Sequence, residues 1–201
     1  MSRAPKSNGG LDRRAAIKTL LANRPDDLFI VPGLGSTTYD LASLGDDDRN
    51  FYLWGAMGGA AMIGLGLALA QPQLRIVVIT GDGEMLMGIG SLATVGVQRP
   101  KNLAIVVFDN GAYGETGGQA SHTGANTELV GVAKACGISD ARSLATMAEI
   151  EAFAPSMQDV SAGPRFVSIK IDSANLERVL ASRDGSYIVT RIRGALGFSP
   201  I

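Results

Sequence analysis

Cys136, His122 and Trp54 are each the only residue of their kind in this 201-residue chain. A lone cysteine cannot close an internal disulfide, which points to a reducing compartment; in the setting AKACGI it reads as a buried, inert thiol on the apolar face of a helix. Charge of one sign is also lacking. The chain has 18 Lys and Arg against 19 Asp and Glu, so the basic stripe of a nucleic-acid binder is absent and no nucleic-acid partner is expected. Long hydrophobic runs are missing too: Ala56 to Ala70 is about 15 residues and broken by glycine, short of a membrane span. Met1 to Gly10 is polar, without the apolar segment of a signal peptide, and reads as a disordered tail. A cytoplasmic protein with no membrane partner is therefore expected. No G-x-G-x-x-G follows a strand, which speaks against a dinucleotide-binding domain.

What is present is an alternation of apolar strands and helices. Hydrophobic residues make up 46% of the chain, enough for one α/β domain over residues 11–201. Strands are expected at Leu28 to Val31, Arg75 to Thr80, Leu103 to Phe108 and Arg165 to Ile171, with shorter ones at Phe51 to Leu53 and Ala141 to Ser143. SYIVTRIR reads as a final strand. Helices are expected at Leu11 to Asn23, Thr37 to Leu44 with Ser36 as N-cap, Gly58 to Ala70, Glu84 to Gln98, Thr127 to Cys136, Leu144 to Met157 and Leu176 to Ala181. RIVVIT and LAIVVF are continuously apolar, the mark of strands covered on both faces. The fold class expected is α/β, a doubly wound, mainly parallel sheet with helices on both faces. Between the second of these strands and the next helix lies a long glycine-rich loop, GAYGETGGQASHTGANT, of a length that is usually functional or disordered.

Ligands of such sheets bind beyond the carboxyl ends of the strands. Asp82 follows RIVVIT in a Gly-Asp-Gly turn, and Asp109-Asn110 follow LAIVVF. One crossover helix and one strand separate Asp82 from Asn110, so the two strand ends can meet. A carboxylate, an amide oxygen and backbone carbonyls are hard donors that suit Mg²⁺ or Ca²⁺ and not zinc. Gly83 and Glu84 open the next helix, whose free N–H groups attract an anion. Mg²⁺ generally shares phosphate oxygens, so the pair implies a diphosphate.

GDG followed, after a helix and a strand, by a paired Asp-Asn resembles the cofactor motif of the thiamine-diphosphate-dependent enzymes. GAMGGA at 55–60 is similar to the segment that precedes the motif in that family. The likeness is close from Asn50 to Gln119 and loose elsewhere. It is strongest with decarboxylases of 3-sulfo- and 3-phosphono-2-oxopropanoate. The resemblance implies the thiamine-diphosphate-binding fold, with thiamine diphosphate and Mg²⁺ as cofactors. It implies that Asp82 and Asn110 ligate Mg²⁺ by side-chain oxygens and Ala112 by its carbonyl, and that Gly81, Gly83, Glu84, Met85, Tyr113 and Thr116 surround the cofactor. Met57 becomes the wedge that bends the cofactor, and the Gly55 carbonyl accepts a hydrogen bond from the aminopyrimidine. Bending brings the amino nitrogen beside the thiazolium C2, a matter of proximity.

The family also needs a pyrimidine-binding domain with a glutamate on the ring nitrogen, and no segment here resembles one. The expectation is a separate α-type subunit, a hetero-oligomer with the active site between chains, and a small anionic 2-oxo acid as substrate. Acetolactate-type carboligation and a non-catalytic subunit of the same fold remain as alternatives. His122 and Glu115 are the candidate catalytic side chains in the glycine-rich loop; for His122 plain solvation is the competing reading. Met62, Met85 and Met87 also read as core filler. Arg183, Arg191 and Arg193 read as an anion-binding group or as a solvated strand edge, and GDDDRN (45–50) as a solvated loop rather than a metal site.

Overall fold

The structure, a computed structural model, describes residues 9–199, so most of the expected disordered tail lies outside the described residues. Its strands in chain order are β1 (Leu28–Pro32), β2 (Arg75–Gly81), β3 (Leu103–Asp109), β4 (Ala112–Tyr113), β5 (Gln119–Ala120), β6 (Asp140–Leu144) and β7 (Arg165–Lys170). Five of them form one parallel sheet in the order β1-β2-β3-β7-β6. The helices are α1 (Arg13–Leu20), α2 (Ser36–Ala42), α3 (Ala60–Ala70), α4 (Asp82–Met87), α5 (Ser91–Gln98), α6 (Leu129–Ala135), α7 (Met147–Met157) and α8 (Gly185–Ala195).

Side-chain alternation along buried strands sends successive residues to opposite faces. Phe29, Val31, Ile76, Val78, Ile105 and Val107 meet α3, α5 and α6 on one face. Leu28, Ile30, Val77, Ile79, Val106 and Val167 meet α1, α2 and α7 on the other. Two cores on one sheet make the expected doubly wound arrangement. Helix α3 lies close to the sheet because Gly64 has no side chain: a Cβ there would stand 2.2 Å from Val78 Cγ2. Its other side leaves Met62 and Leu69 uncovered. No helix among the described residues is long and apolar enough to cross a membrane.

Several expected elements differ, each for a local reason. The helix expected over 84–98 is two helices, parted at Gly88–Gly90. Gly88 is where the chain passes over Gly58, whose carbonyl oxygen would be 2.2 Å from a Cβ. Ser36 is the first residue of α2 rather than its cap; Gly35, at φ +85°, holds the cap position without a side-chain bond. Helix α1 is shorter than expected because Asp12 caps it by accepting from the Ala15 amide at 2.8 Å. Phe51 to Leu53 is not a strand; only Asn50 bridges to Ile30. Residues 176–181 are not helical, and SYIVTRIR is helix, not strand. There Asp184 accepts from the Ser186 and Tyr187 amides at 2.9 and 3.1 Å, and the four-residue spacing of Ile188 and Ile192 puts both in the core. Capping and helical spacing outweigh the β-branched content. Cys136 is half-buried at the end of α6, not fully buried.

Two glycine substitutions separate helix propensity from packing. Alanine in a helix interior gains about 0.5–1 kcal/mol over glycine. At Gly66 nothing lies within 4 Å of a new Cβ, so Gly66→Ala should stabilise by about that amount. At Gly96 the Cβ would lie 1.7 Å from the Cys136 carbonyl oxygen, which pushes α5 off α6. Overpacking costs about 1–3 kcal/mol, so Gly96→Ala should destabilise by roughly 1–2 kcal/mol net. Urea denaturation of both variants checks the pair.

Candidate active site

The β2–β3 register sets Gly81 opposite Phe108, so Asp82 and Asp109 leave neighbouring strand ends side by side. The β3–β7 register sets Lys170 opposite Asp109 on the far side. A cavity of about 290 Å³ opens over these ends. Gly81, Asp82, Gly83, Glu84 and Asn110 form its floor, and Met57, Ala112, Tyr113, Glu115 and Thr116 contribute walls. Those ten sequence-predicted residues are thus brought together.

Three others are not. Gly55, at φ +73°, is exposed and does not line the cavity. Met85 is 2% exposed and points into the core with Val78 and Leu92, because it sits on the inner side of α4. It is core filler, as the alternative reading had it, and not a cavity residue. His122 is exposed and outside the cavity lining; its backbone carbonyl, not its ring, is engaged, closing the turn at His122–Gly124. Arg191 and Arg193 do not gather at the cavity either. Arg191 is buried and bonds Asp46 at 2.5 Å and the Asn50 carbonyl at 3.0 Å. That pair, with Asp47 held by Arg49 at 2.6 Å, makes the GDDDRN segment an ion-paired loop. Arg49 beside Asp47 holds its carboxyl down at about 2.

The glycine-rich loop is ordered rather than structureless. It forms the β4–β5 hairpin with positive φ at Gly111, Gly117 and Gly118, and then a 3₁₀ turn over His122–Gly124. Gly111 and Gly124 cross so closely that a Cβ on Gly124 would lie 2.7 Å from the Gly111 oxygen. This crossing delivers two hydroxyls to Asp82 that the motif gives no sign of. Ser121 Oγ donates to Asp82 Oδ2, and Thr123 Oγ1 lies 2.9 Å from Asp82 Oδ2 and 2.8 Å from Asp109 Oδ1. One hydroxyl proton cannot serve both carboxylates at once. Lys170 Nζ neutralises Asp109 at 2.5 Å, but no cation reaches Asp82 among the described residues. Burial raises the Asp82 pKa, and the neighbouring Asp109 charge raises it further, against the Ser121 and Thr123 bonds.

Glu84 is also buried, and burial raises its pKa. Its carboxylate accepts from the Leu34 amide at 3.0 Å, Thr80 Oγ1 at 2.8 Å and the Ala60 amide at 3.4 Å. Sequence reasoning gave Glu84 only a backbone role and missed these bonds. It also missed Leu34, Ser36, Thr37 and Asp40, which line the cavity from the β1–α2 turn. Asp40 is backed by Arg13 at 2.8 Å and Arg14 at 3.1 Å. At the mouth, Glu115 meets Arg178 at 3.0 Å and the Tyr39 hydroxyl at 3.4 Å.

The cavity lining thus carries four carboxylates, Asp40, Asp82, Glu84 and Glu115, and no Lys or Arg among the described residues. Asp82 in particular is a desolvated carboxylate facing a second one, and its Oδ1 accepts from the Asn110 backbone N–H at 3.4 Å. A buried carboxylate with no cation partner among the described residues fits a hard divalent cation. Asn110 Oδ1 accepts from the Ala112 amide at 2.9 Å and keeps a second lone pair. No group of three or more His, Cys, Asp and Glu among the described residues forms a metal cluster. Helix α4 has only six residues, so an anion here meets individual N–H groups rather than a long dipole.

Because burial lifts the Asp82 pKa above its unfolded value, the unfolded chain releases this proton first. Stability is then lost as pH rises from the ordinary carboxylate range through the folded-state value. Asp82→Asn keeps an oxygen for Ser121 and Thr123 while removing the charge. It should raise the melting temperature of the metal-free chain at pH 7, with the gain shrinking toward pH 4; melting curves across this range, with chelator present, check it.

Comparison with known proteins places the chain among relatives. The family model described as "Thiamine pyrophosphate enzyme, C-terminal TPP binding domain" matches residues 35–171. The chain is 47% identical over 122 residues to a sulfopyruvate decarboxylase subunit beta of Methanocaldococcus jannaschii, covering 61% of this chain and 64% of that one. Over 189 residues it is 35% identical to the subunit of the same name from Methanothermobacter thermautotrophicus, covering 92% and 97%. With a phosphonopyruvate decarboxylase of Streptomyces viridochromogenes it shares 40% over 166 residues, or 82% of this chain but 41% of that one. The match therefore spans less than two thirds of the first and third of these relatives. In fold, benzoylformate decarboxylase from Polynucleobacter necessarius superposes with a TM-score of 0.69 at 20% identity, over 89% of this chain and 36% of that one. The family match over residues 35–171 and these similarities place the chain in the thiamine pyrophosphate enzyme family, as a member carrying its C-terminal TPP-binding domain.

Proposed function

We propose that this chain is the diphosphate-binding subunit of a two-chain thiamine-diphosphate-dependent 2-oxo acid decarboxylase, with sulfopyruvate or phosphonopyruvate as the class of substrate. The observation that carries the reading is Asp82 beside Asn110 at two adjacent strand ends, under a cavity whose lining holds carboxylates and no cation. Names of the relatives supply the direction of the chemistry.

In this reading Asp82 and Asn110 hold Mg²⁺ by side-chain oxygens and Ala112 by its carbonyl. An ion held there would supply the positive charge that the lining lacks among the described residues. Gly83 has no room for a side chain, since a Cβ would meet Tyr113 at 2.6 Å; its N–H is left to face the diphosphate at the start of α4. Met57 borders the same cavity, with its Cε 3.6 Å from that Cβ position, and is the wedge. Bound thiamine diphosphate supplies the carbanion and the electron sink that decarboxylation of a 2-oxo acid needs. Ser121 and Thr123 keep Asp82 oriented, and Asp109 is occupied by Lys170, which leaves Asn110 as the ligand of the pair. Glu115, tied to Arg178 and Tyr39, holds the mouth of the cavity. His122 receives no role.

A separate chain contributes the glutamate for the pyrimidine ring. The uncovered side of α3, with Met62 and Leu69 exposed and Met57 just before it, is where such a chain would cover the cofactor. The partnership is tested by tagging this chain, recovering the complex, and assaying CO₂ release from 3-sulfo- and 3-phosphono-2-oxopropanoate with thiamine diphosphate and Mg²⁺. Turnover is expected with at least one of them, and Asp82→Ala should lower it by at least about 100-fold, beyond the range usual for groups that only support a ligand. A complex that binds the cofactor yet decarboxylates neither acid would overturn the reading.

A further inference from the structure

The Glu84 side chain does something that a cofactor-turn residue supplying only its backbone would not. Its carboxylate is 2% exposed and joins segments far apart in the chain. Oε2 takes the Leu34 amide at 3.0 Å and the Thr80 hydroxyl at 2.8 Å; Oε1 takes the Ala60 amide at 3.4 Å, with the Gly58 amide beside it. The space is filled to contact. A Cβ on Gly33 would fall 1.6 Å from Oε2. One turn beyond Glu84, at the end of α4, the Gly58 carbonyl rests against Gly88. The strip from Met57 to Ala60 is therefore seated on α4, and among the described residues Glu84 is the α4 side chain that its amides bond.

We propose that Glu84 is a positioning residue: its carboxylate sets the Met57–Ala60 strip, and so the wedge, at a fixed distance from the Asp82 turn. Glu84 stands two residues from Asp82 on the same short helix, so one rigid element carries both the metal ligand and the anchor of the wedge. Only a carboxylate can accept from both sides. An amide has one acceptor oxygen and one donor group, and a donor facing an amide N–H is repelled. The role of Met57 rests on the functional reading above; the anchoring of the strip does not.

Backbone hydrogen exchange followed by mass spectrometry tests the anchor without cofactor. In Glu84→Gln the amide oxygen should turn toward its two close donors, Leu34 and Thr80, leaving the NH₂ against Ala60. Exchange at Gly58–Ala60 should rise at least 10-fold while Leu34 changes less than 3-fold. Glu84→Asp keeps the charge but withdraws toward α4, and it should loosen Ala60 likewise, because that contact is the longest; it serves if the Gln variant does not fold. In the complex recovered through a tag on this chain, at saturating thiamine diphosphate, exchange of the C2 proton of the bound cofactor should slow at least 10-fold. Unchanged exchange at Gly58–Ala60, or equal loosening of Leu34 and Ala60, would overturn the proposal. If the wild-type complex binds no thiamine diphosphate, the functional reading fails instead, and the cofactor-free exchange still decides the role of Glu84.

Discussion

Two carboxylates leave neighbouring parallel strands at the same level, and everything around the cavity answers to that pairing. The β2–β3 register that puts Gly81 beside Phe108 also puts Asp82 beside Asp109, and parallel strands give no turn to separate them. Like charges this close in a buried site need compensation. Lys170 gives it to Asp109 from β7, the strand on the other side. Asp82 receives neutral donors, the Ser121 and Thr123 hydroxyls and the Asn110 backbone N–H, and no cation among the described residues. The hairpin that carries those hydroxyls is shaped by the same demand: Gly111 and Gly124 cross in contact so that the chain can return to the strand ends.

The cost of this arrangement falls on the folded chain itself. Asp40, Asp82 and Glu84 are each buried, and each has its pKa raised chiefly by that burial. A chain selected for stability alone would not keep three desolvated carboxylates around one cavity. Two of them are compensated within the chain, Asp40 by Arg13 and Arg14 and Glu84 by backbone amides and the Thr80 hydroxyl, whereas no cation among the described residues reaches Asp82. Rigidity comes from the sheet, and precision from Glu84, which fastens three segments to the short helix that begins with Asp82.

Much of the fold was legible because burial leaves a simple trace. RIVVIT and LAIVVF announce strands covered on both faces, and the strands and helices around them fall within a few residues of where periodicity puts them. Legibility failed where two local signals competed. SYIVTRIR has strand composition, yet Asp184 caps it and Ile188 and Ile192 share a helical face. The segment 84–98 reads as one helix, yet it breaks at Gly88, where the chain must clear Gly58, a contact between residues 30 positions apart that no local pattern records.

For the site, the sequence by itself determined the chemistry on offer: a Gly-Asp-Gly turn and an Asp-Asn pair, each following a buried strand, so that hard oxygen donors would meet at a sheet edge. Strand ends and turn glycines are local features, and local features are written in order along the chain. Only the tertiary structure decided which residues complete the site. Ser121 and Thr123 reach Asp82 across 39 and 41 positions, and Glu84 reaches Leu34 across 50. It decided as well that Met85 turns into the core and His122 out to solvent. A side chain's partner depends on how loops close over the sheet, and that closure is set by contacts summed over the whole chain rather than by the residues on either side.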